Sequence, residues 1–223
     1  MIYVTGDMHA DYSRFEERKI RKLKKNDILI ICGDFGFIWD GSEKEEKILN
    51  SIGKKRFTTL FVDGNHENFD LLDKYEVTDW NGGKVQHISG NLYHLMRGQI
   101  YDLEGKKFFI LGGGESEDKE TRIEMGTWWP QEAPDINEMR KVVEKLDSIG
   151  RNVDYIITHE PPAHIKNLFD NSMRSLTGLN VFLDEISKQV KYKTWYFGNL
   201  HINRKITSRH QALFTDVVPL NLD

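Results

Sequence analysis

Five short apolar runs in this chain each stop abruptly on Asp, Asn or His, and that repeated event constrains the fold more than any average property does. Leu60, Phe61 and Val62 end in Gly64-Asn65-His66-Glu67, with Gly64 allowing a sharp turn. Ile2 to Val4 ends in Gly6-Asp7-Met8-His9, and Ile28 to Cys32 ends in Gly33-Asp34. Tyr155 to Ile157 ends in Thr158-His159, and Trp195 to Phe197 ends in Gly198-Asn199-Leu200-His201. A core needs none of these polar groups, and burying one unpaired costs roughly 1–3 kcal/mol. Strand ends are where α/β proteins place chemistry, so a shared metal centre is expected there.

The 223 residues, with no Pro, Gly or Ser-rich linker, are expected to form a single domain over 1–223. A net charge of −4 gives no overall field toward nucleic acid or membrane, so a small partner is expected. Cys32 is the single cysteine and sits inside an apolar run, where it reads as a packed thiol; no apolar stretch approaches the ~20 residues of a membrane span. The chain opens on a strand rather than a secretion signal, so a cytoplasmic location is expected.

The patterning predicts helices over Asp11 to Leu23, Glu43 to Ile52, Ile136 to Ile149 and Leu179 to Val190, with a short one through Phe69, Leu71 and Leu72. The basic run from Arg18 to Lys25 lies beside Glu16 and Glu17 and reads as a solvated face. Strands Val85 to Ile88, Tyr93 to Met96, Gln99 to Leu103 and Lys107 to Leu111 are expected to build a second, partly antiparallel sheet. Ile202 to Ile206 and Ala212 to Val218 are expected to close that sheet. Gly112 to Pro134 reads as a long pocket-covering loop, with Arg122 able to contact phosphate and Trp128 and Trp129 offering flat surfaces.

Oxygen and nitrogen donors without a thiolate suit divalent ions such as Mn, Fe, Zn or Mg. Two such ions about 3.5–4 Å apart would polarise a phosphoryl oxygen and acidify a bridging water. Competing motifs fail: Asp70 and Ala163 stand where HExxH needs its second histidine, and neither GxSxG nor GxxxxGK occurs. His87, His94, His164 and His210 lie outside the five blocks and read as structural or surface groups.

Taken in order, GDMH, GD, GNHE, TH and GNLH resemble the five motif blocks of the calcineurin-like metallophosphoesterases. The resemblance implies an α/β fold of two stacked mixed β-sheets flanked by helices, and hydrolysis of a phosphate mono- or diester by a dinuclear centre with a metal-bound hydroxide as nucleophile. It implies that Asp7, His9, Asp34 and His201 hold one ion and that Asp34, Asn65, His159 and Asn199 hold the other, with manganese favoured. His66 would donate the proton, Asp34 and Asn65 would share in catalysis, and Asn65, His66 and Arg122 would bind substrate. Two blocks depart from the family: Asn199 stands where histidine is usual, which implies a more weakly held second ion, and Phe35-Gly36 follows GD where Asp-Arg is common, which leaves phosphate contacts to other residues such as Arg122. The competing reading is a scaffold or regulatory module that keeps the fold with an attenuated site. Nucleotide, phosphodiester, phosphoprotein and small sugar phosphate all fit the sequence as substrates.

Overall fold

In the computed structural model, which describes residues 1–169 and 176–220, β1 (Ile2–Thr5), β2 (Ile28–Ile31) and β3 (Thr58–Phe61) run parallel, with Val4 opposite Ile30 and Ile30 opposite Leu60. β2 is apolar throughout and its neighbours largely so, because both faces are covered. β4 (Val77–Trp80), β5 (Gly83–Ser89) and β6 (Leu92–Leu95) extend this sheet, β6 lying parallel to β3 and the other two folding back antiparallel. The second sheet holds the hairpin β7 (Gln99–Leu103) and β8 (Lys106–Leu111), then β9 (Tyr155–Thr158) and β10 (Thr194–Phe197), parallel to each other and to β8. β11 (Arg204–Lys205) and β12 (His210–Ala212) complete it, while β13 (Val218–Pro219) crosses back to pair antiparallel with β1.

Strand alternation sorts the side chains into three cores. Ile30, Leu60, Val62, Phe108, Ile110 and Ile157 meet between the two sheets. Leu29, Ile31 and Phe61, on the opposite face of the first sheet, are covered by Phe15, Leu49 and Ile52. Phe109, Ile156 and Trp195 are covered on the outer face of the second sheet by Val142, Leu146, Leu183 and Ile186. The α-helices are α1 (Arg18–Arg21), α2 (Glu43–Gly53), α3 (Phe69–Leu72), α4 (Lys119–Glu124), α5 (Ile136–Ser148), α6 (Ala163–Lys166) and α7 (Gly178–Gln189), of which α2, α5 and α7 supply most of those covering residues. The layers therefore stack helix, sheet, sheet, helix. Among the described residues no helix is long and apolar enough to cross a membrane.

Four expectations need correction. The strands from Val85 to Leu111 do not form one sheet: β5 and β6 join the first and β7 and β8 the second. Ala212 to Val218 is not one strand, and Val218 belongs to the first sheet. Asp11 to Leu23 is a 3-10 turn over Tyr12–Glu16, capped by Asp11, followed after an extended Glu17 by α1 alone. Buried Arg14 explains the break, since its guanidinium turns inward to the Asp7 carbonyl. The expected loop from Gly112 to Pro134 contains α4 and a 3-10 turn.

Candidate metal centre

The loops after β1, β2, β3, β9 and β10 meet at one end of the sandwich and are bonded to one another. The Met8 and His9 N–H groups donate to the Asp34 carbonyl, and the Gly198 N–H donates to the His159 carbonyl. Close approach requires glycine: a Cβ on Gly64 would overlap Asp34 Oδ1, and one on Gly198 would overlap Asp7 Oδ1. His9, Asp34, Asn199 and His201 hold φ values of 46°, 42°, 60° and 49°, a left-handed region that non-glycine residues seldom adopt. Backbone strain concentrated in this way marks sites where surrounding structure overrides local preference.

Asp7, His9, Asp34 and His201 each present a ligand atom, all within 4.8 Å of one another. His9 Nε2 faces His201 Nε2 at 2.9 Å, and His201 Nε2 lies 3.1 Å from Asp7 Oδ2. The Asn199 N–H donates to both Asp7 oxygens at 3.2 and 3.0 Å. Burial alone would raise the Asp7 pKa, but the His159 and His201 rings beside it hold it well below the usual carboxylate range.

His159 forms the second half of the centre. Its Nδ1–H donates to the Cys32 carbonyl at 3.1 Å, leaving Nε2 to face Asn65 Oδ1 at 3.0 Å and Asp34 Oδ1 at 3.6 Å. Burial would lower its pKa, yet the Asp34 and Asp7 charges push it up to about 10. The Asp34 and Asp7 carboxylates thus favour positive charge beside His159, which a proton or a divalent ion would supply. Asn199 is also here, with Nδ2 3.2 Å from His159 Nε2, so ligation through its oxygen requires the amide to turn over.

His66 borders the cavity, its ring centroid 5.9 Å from that of His9, and its N–H donates to Asp34 Oδ1 at 2.9 Å. Glu67 turns away and accepts from the Phe35 and Gly36 N–H groups at 2.7 and 3.2 Å, shaping the loop that carries Asp34. Burial first, and then the nearby Asp34 charge, raises the Glu67 pKa well above its ordinary value.

Arg122 is not where a phosphate contact would be. It is 5 % exposed and its guanidinium donates to the Asn65 carbonyl at 3.0 Å, to Ser116 and to the Thr127 carbonyl, with Glu132 2.8 Å away as its counter-ion. It stands behind Asn65 as a support. Trp129 packs edge-on to Trp39, and Lys119 lies over Trp128 at 4.4 Å.

The cavity of about 400 Å³ at the centre is lined by Asp34, Asn65, His66, Asn199 and His201 together with Glu115, Glu117, Asp118, Glu160 and Lys166. Glu115, Glu117 and Asp118 come from the Gly112 to Pro134 segment expected to cover the pocket, Glu160 directly follows His159, and Lys166 carried no mark in the sequence. Lys166 Nζ is paired with Glu160 at 3.2 Å, so the rim is acidic.

Comparison with known proteins agrees with this geometry. The family described as "Calcineurin-like phosphoesterase" matches residues 1–202. The UPF0046 protein T07D4.2 of Caenorhabditis elegans is 26% identical over 204 residues, covering 83% of this chain and 48% of that protein. A lariat debranching enzyme of Schizosaccharomyces pombe is 22% identical over 222 residues, covering 86% of this chain and 46% of that protein. The chain thus spans about half the length of these curated relatives. Among solved structures, a phosphopantetheinyl hydrolase (PptH) from Mycobacterium tuberculosis aligns at a TM-score of 0.42 and 13% identity, covering 96% of this chain and 89% of that one.

Proposed function

We propose that this chain, which belongs to the calcineurin-like phosphoesterases, hydrolyses a phosphate ester of a small substrate in a reaction that depends on two divalent ions. The observation that carries the reading is the convergence of Asp7, His9, Asp34 and His201 within 4.8 Å. The donor set fits a divalent ion: carboxylate and imidazole without thiolate, with two ring nitrogens opposed at 2.9 Å as though sharing one cation. His159 fits as well, because a ligating histidine donates its other N–H to an acceptor such as the Cys32 carbonyl.

Asp7, His9, Asp34 and His201 would hold one ion, and Asp34, Asn65, His159 and Asn199 the other, with manganese favoured. When bound, such ions supply Lewis acidity to a phosphoryl oxygen and acidify water. Asp34 has both oxygens turned into the centre, Oδ2 3.8 Å from His9 and Oδ1 3.6 Å from His159, which suits a shared position. Asn65 would orient the phosphoryl group, and His66 at the cavity edge would deliver a proton to the leaving ester oxygen. Glu115, Glu117 and Asp118 would repel a polyanion at the rim, which supports a small substrate over nucleic acid. A cytoplasmic location goes with this reading.

Metal analysis paired with hydrolysis of an aryl phosphate, after chelation and re-addition of manganese, tests the proposal. Chelation should abolish hydrolysis and manganese restore it. Metal bound without turnover would favour the scaffold reading.

A further inference from the structure

A buried polar group stands behind Asn65, with Glu132 Oε1 held only by its ion pair to Arg122 at 2.8 Å. Ser116, Arg122, Glu132 and Asn65 are 9 %, 5 %, 2 % and 6 % exposed, and the first three come from the segment between the triple glycine and α5. Ser116 Oγ–H donates to Glu132 Oε2 at 2.7 Å. The same oxygen accepts from Asn65 Nδ2 at 3.1 Å and from Arg122 Nη1. A hydroxyl has one proton and two lone pairs, and here all three are committed.

That commitment has a direction. With its only proton held by the Glu132 carboxylate, Ser116 can meet Asn65 solely as an acceptor, so the amide must present its NH2 to Ser116. Its oxygen then points the other way, where Oδ1 lies 3.0 Å from His159 Nε2. The flipped amide would set oxygen against oxygen at Ser116 and leave a buried acceptor unpaired. Arg122 fixes the main chain of the same residue by donating to the Asn65 backbone carbonyl at 3.0 Å.

We propose that Ser116 is a positioning residue that, with Glu132 behind it, locks the Asn65 side-chain amide with its oxygen toward the metal centre and so sets the affinity of the ion shared by Asn65 and His159. The proposal rests on the dinuclear reading above. Glu132 and Arg122 act through Ser116 and Asn65, without contact to substrate.

Manganese titration of the intact chain, followed by calorimetry or by the spin resonance of free Mn²⁺, tests it without reference to turnover. Ser116→Ala should weaken the looser of two Mn²⁺ sites by about 10–100-fold, the usual range for loss of a group that orients a ligand, and leave the tighter site unchanged. In Asn65→Asp, whose side chain has no nitrogen end to turn inward, adding Ser116→Ala should shift that affinity less than threefold. In the unsubstituted protein, the Asn65 Nδ2 protons should exchange with solvent at least tenfold more slowly than those of exposed asparagines. Equal Mn²⁺ affinity in Ser116→Ala and its parent, an equally large Ser116→Ala effect in the Asn65→Asp background, or fast exchange at Asn65 Nδ2 each overturns the proposal. A parent chain that binds one ion or none overturns the dinuclear reading, and this proposal with it.

Discussion

The Asp34 carboxylate accepts the His66 backbone N–H at 2.9 Å, so the side chain at the end of β2 fixes the peptide that presents Asn65 and His66 after β3. Two candidate site residues, Asn65 and His66, are thereby tied to the carboxylate of a third, and Gly64 is what lets that carboxylate in. A Cβ there would overlap both Oδ1 and the backbone nitrogen of Asp34. Gly64→Ala is expected to cost at least the 1–3 kcal/mol or so of an overpacked interior and to separate the two loops. Urea unfolding measures the loss; unchanged stability would show that the loops do not need this contact.

Stability should also depend on pH through a histidine remote from the centre. Burial, reinforced by His164 and Arg209, lowers His210 to about 4, and its ring nitrogens are already engaged by the Tyr192 and Thr207 hydroxyls. The unfolded chain, with an ordinary histidine pKa of about 6.5, binds the proton first, so this contribution is intact above about pH 6.5 and is lost as pH falls toward 4. About 2 kcal/mol should be gone near pH 5, and His210→Gln should flatten that part of the curve. Identical slopes in the two proteins would remove His210 from the account.

The five blocks were legible because each sits where an apolar run breaks, a signal local to a few residues. Sheet membership was not: alternation marks Val85 and Phe108 alike as strand residues, but which strands they pair with depends on partners far along the chain, β3 for β6 and β9 for β8. β4 escaped notice because it is a short edge strand whose residues alternate between exposed and half-buried. Arg122 looked like a phosphate ligand because its type suits one, and only tertiary structure shows its donors spent on Asn65, Ser116 and Thr127. Asn199 was legible as a departure, though not the orientation of its amide.

Asn199→His is expected to lower the manganese concentration needed for half-maximal activity by about 10–100-fold, since it replaces an amide by an imidazole beside His159. The backbone at 199 has a φ of 60°, which histidine tolerates better than most residues. A titration with the midpoint unchanged or higher would mean that the pocket has closed around asparagine.

His66→Ala should leave the number of bound ions intact while slowing turnover by about 10²–10⁴, as expected for loss of a proton donor. Ion loss together with the rate would make His66 a ligand instead.

The most direct test of the central claim is the rate of aryl phosphate hydrolysis by Asp34→Asn at saturating manganese. A carboxylate shared between two ions cannot be replaced by a neutral amide, so the rate should fall to no more than about a few percent of the parent's. A variant that keeps more than that would contradict a shared Asp34, and with it the dinuclear centre.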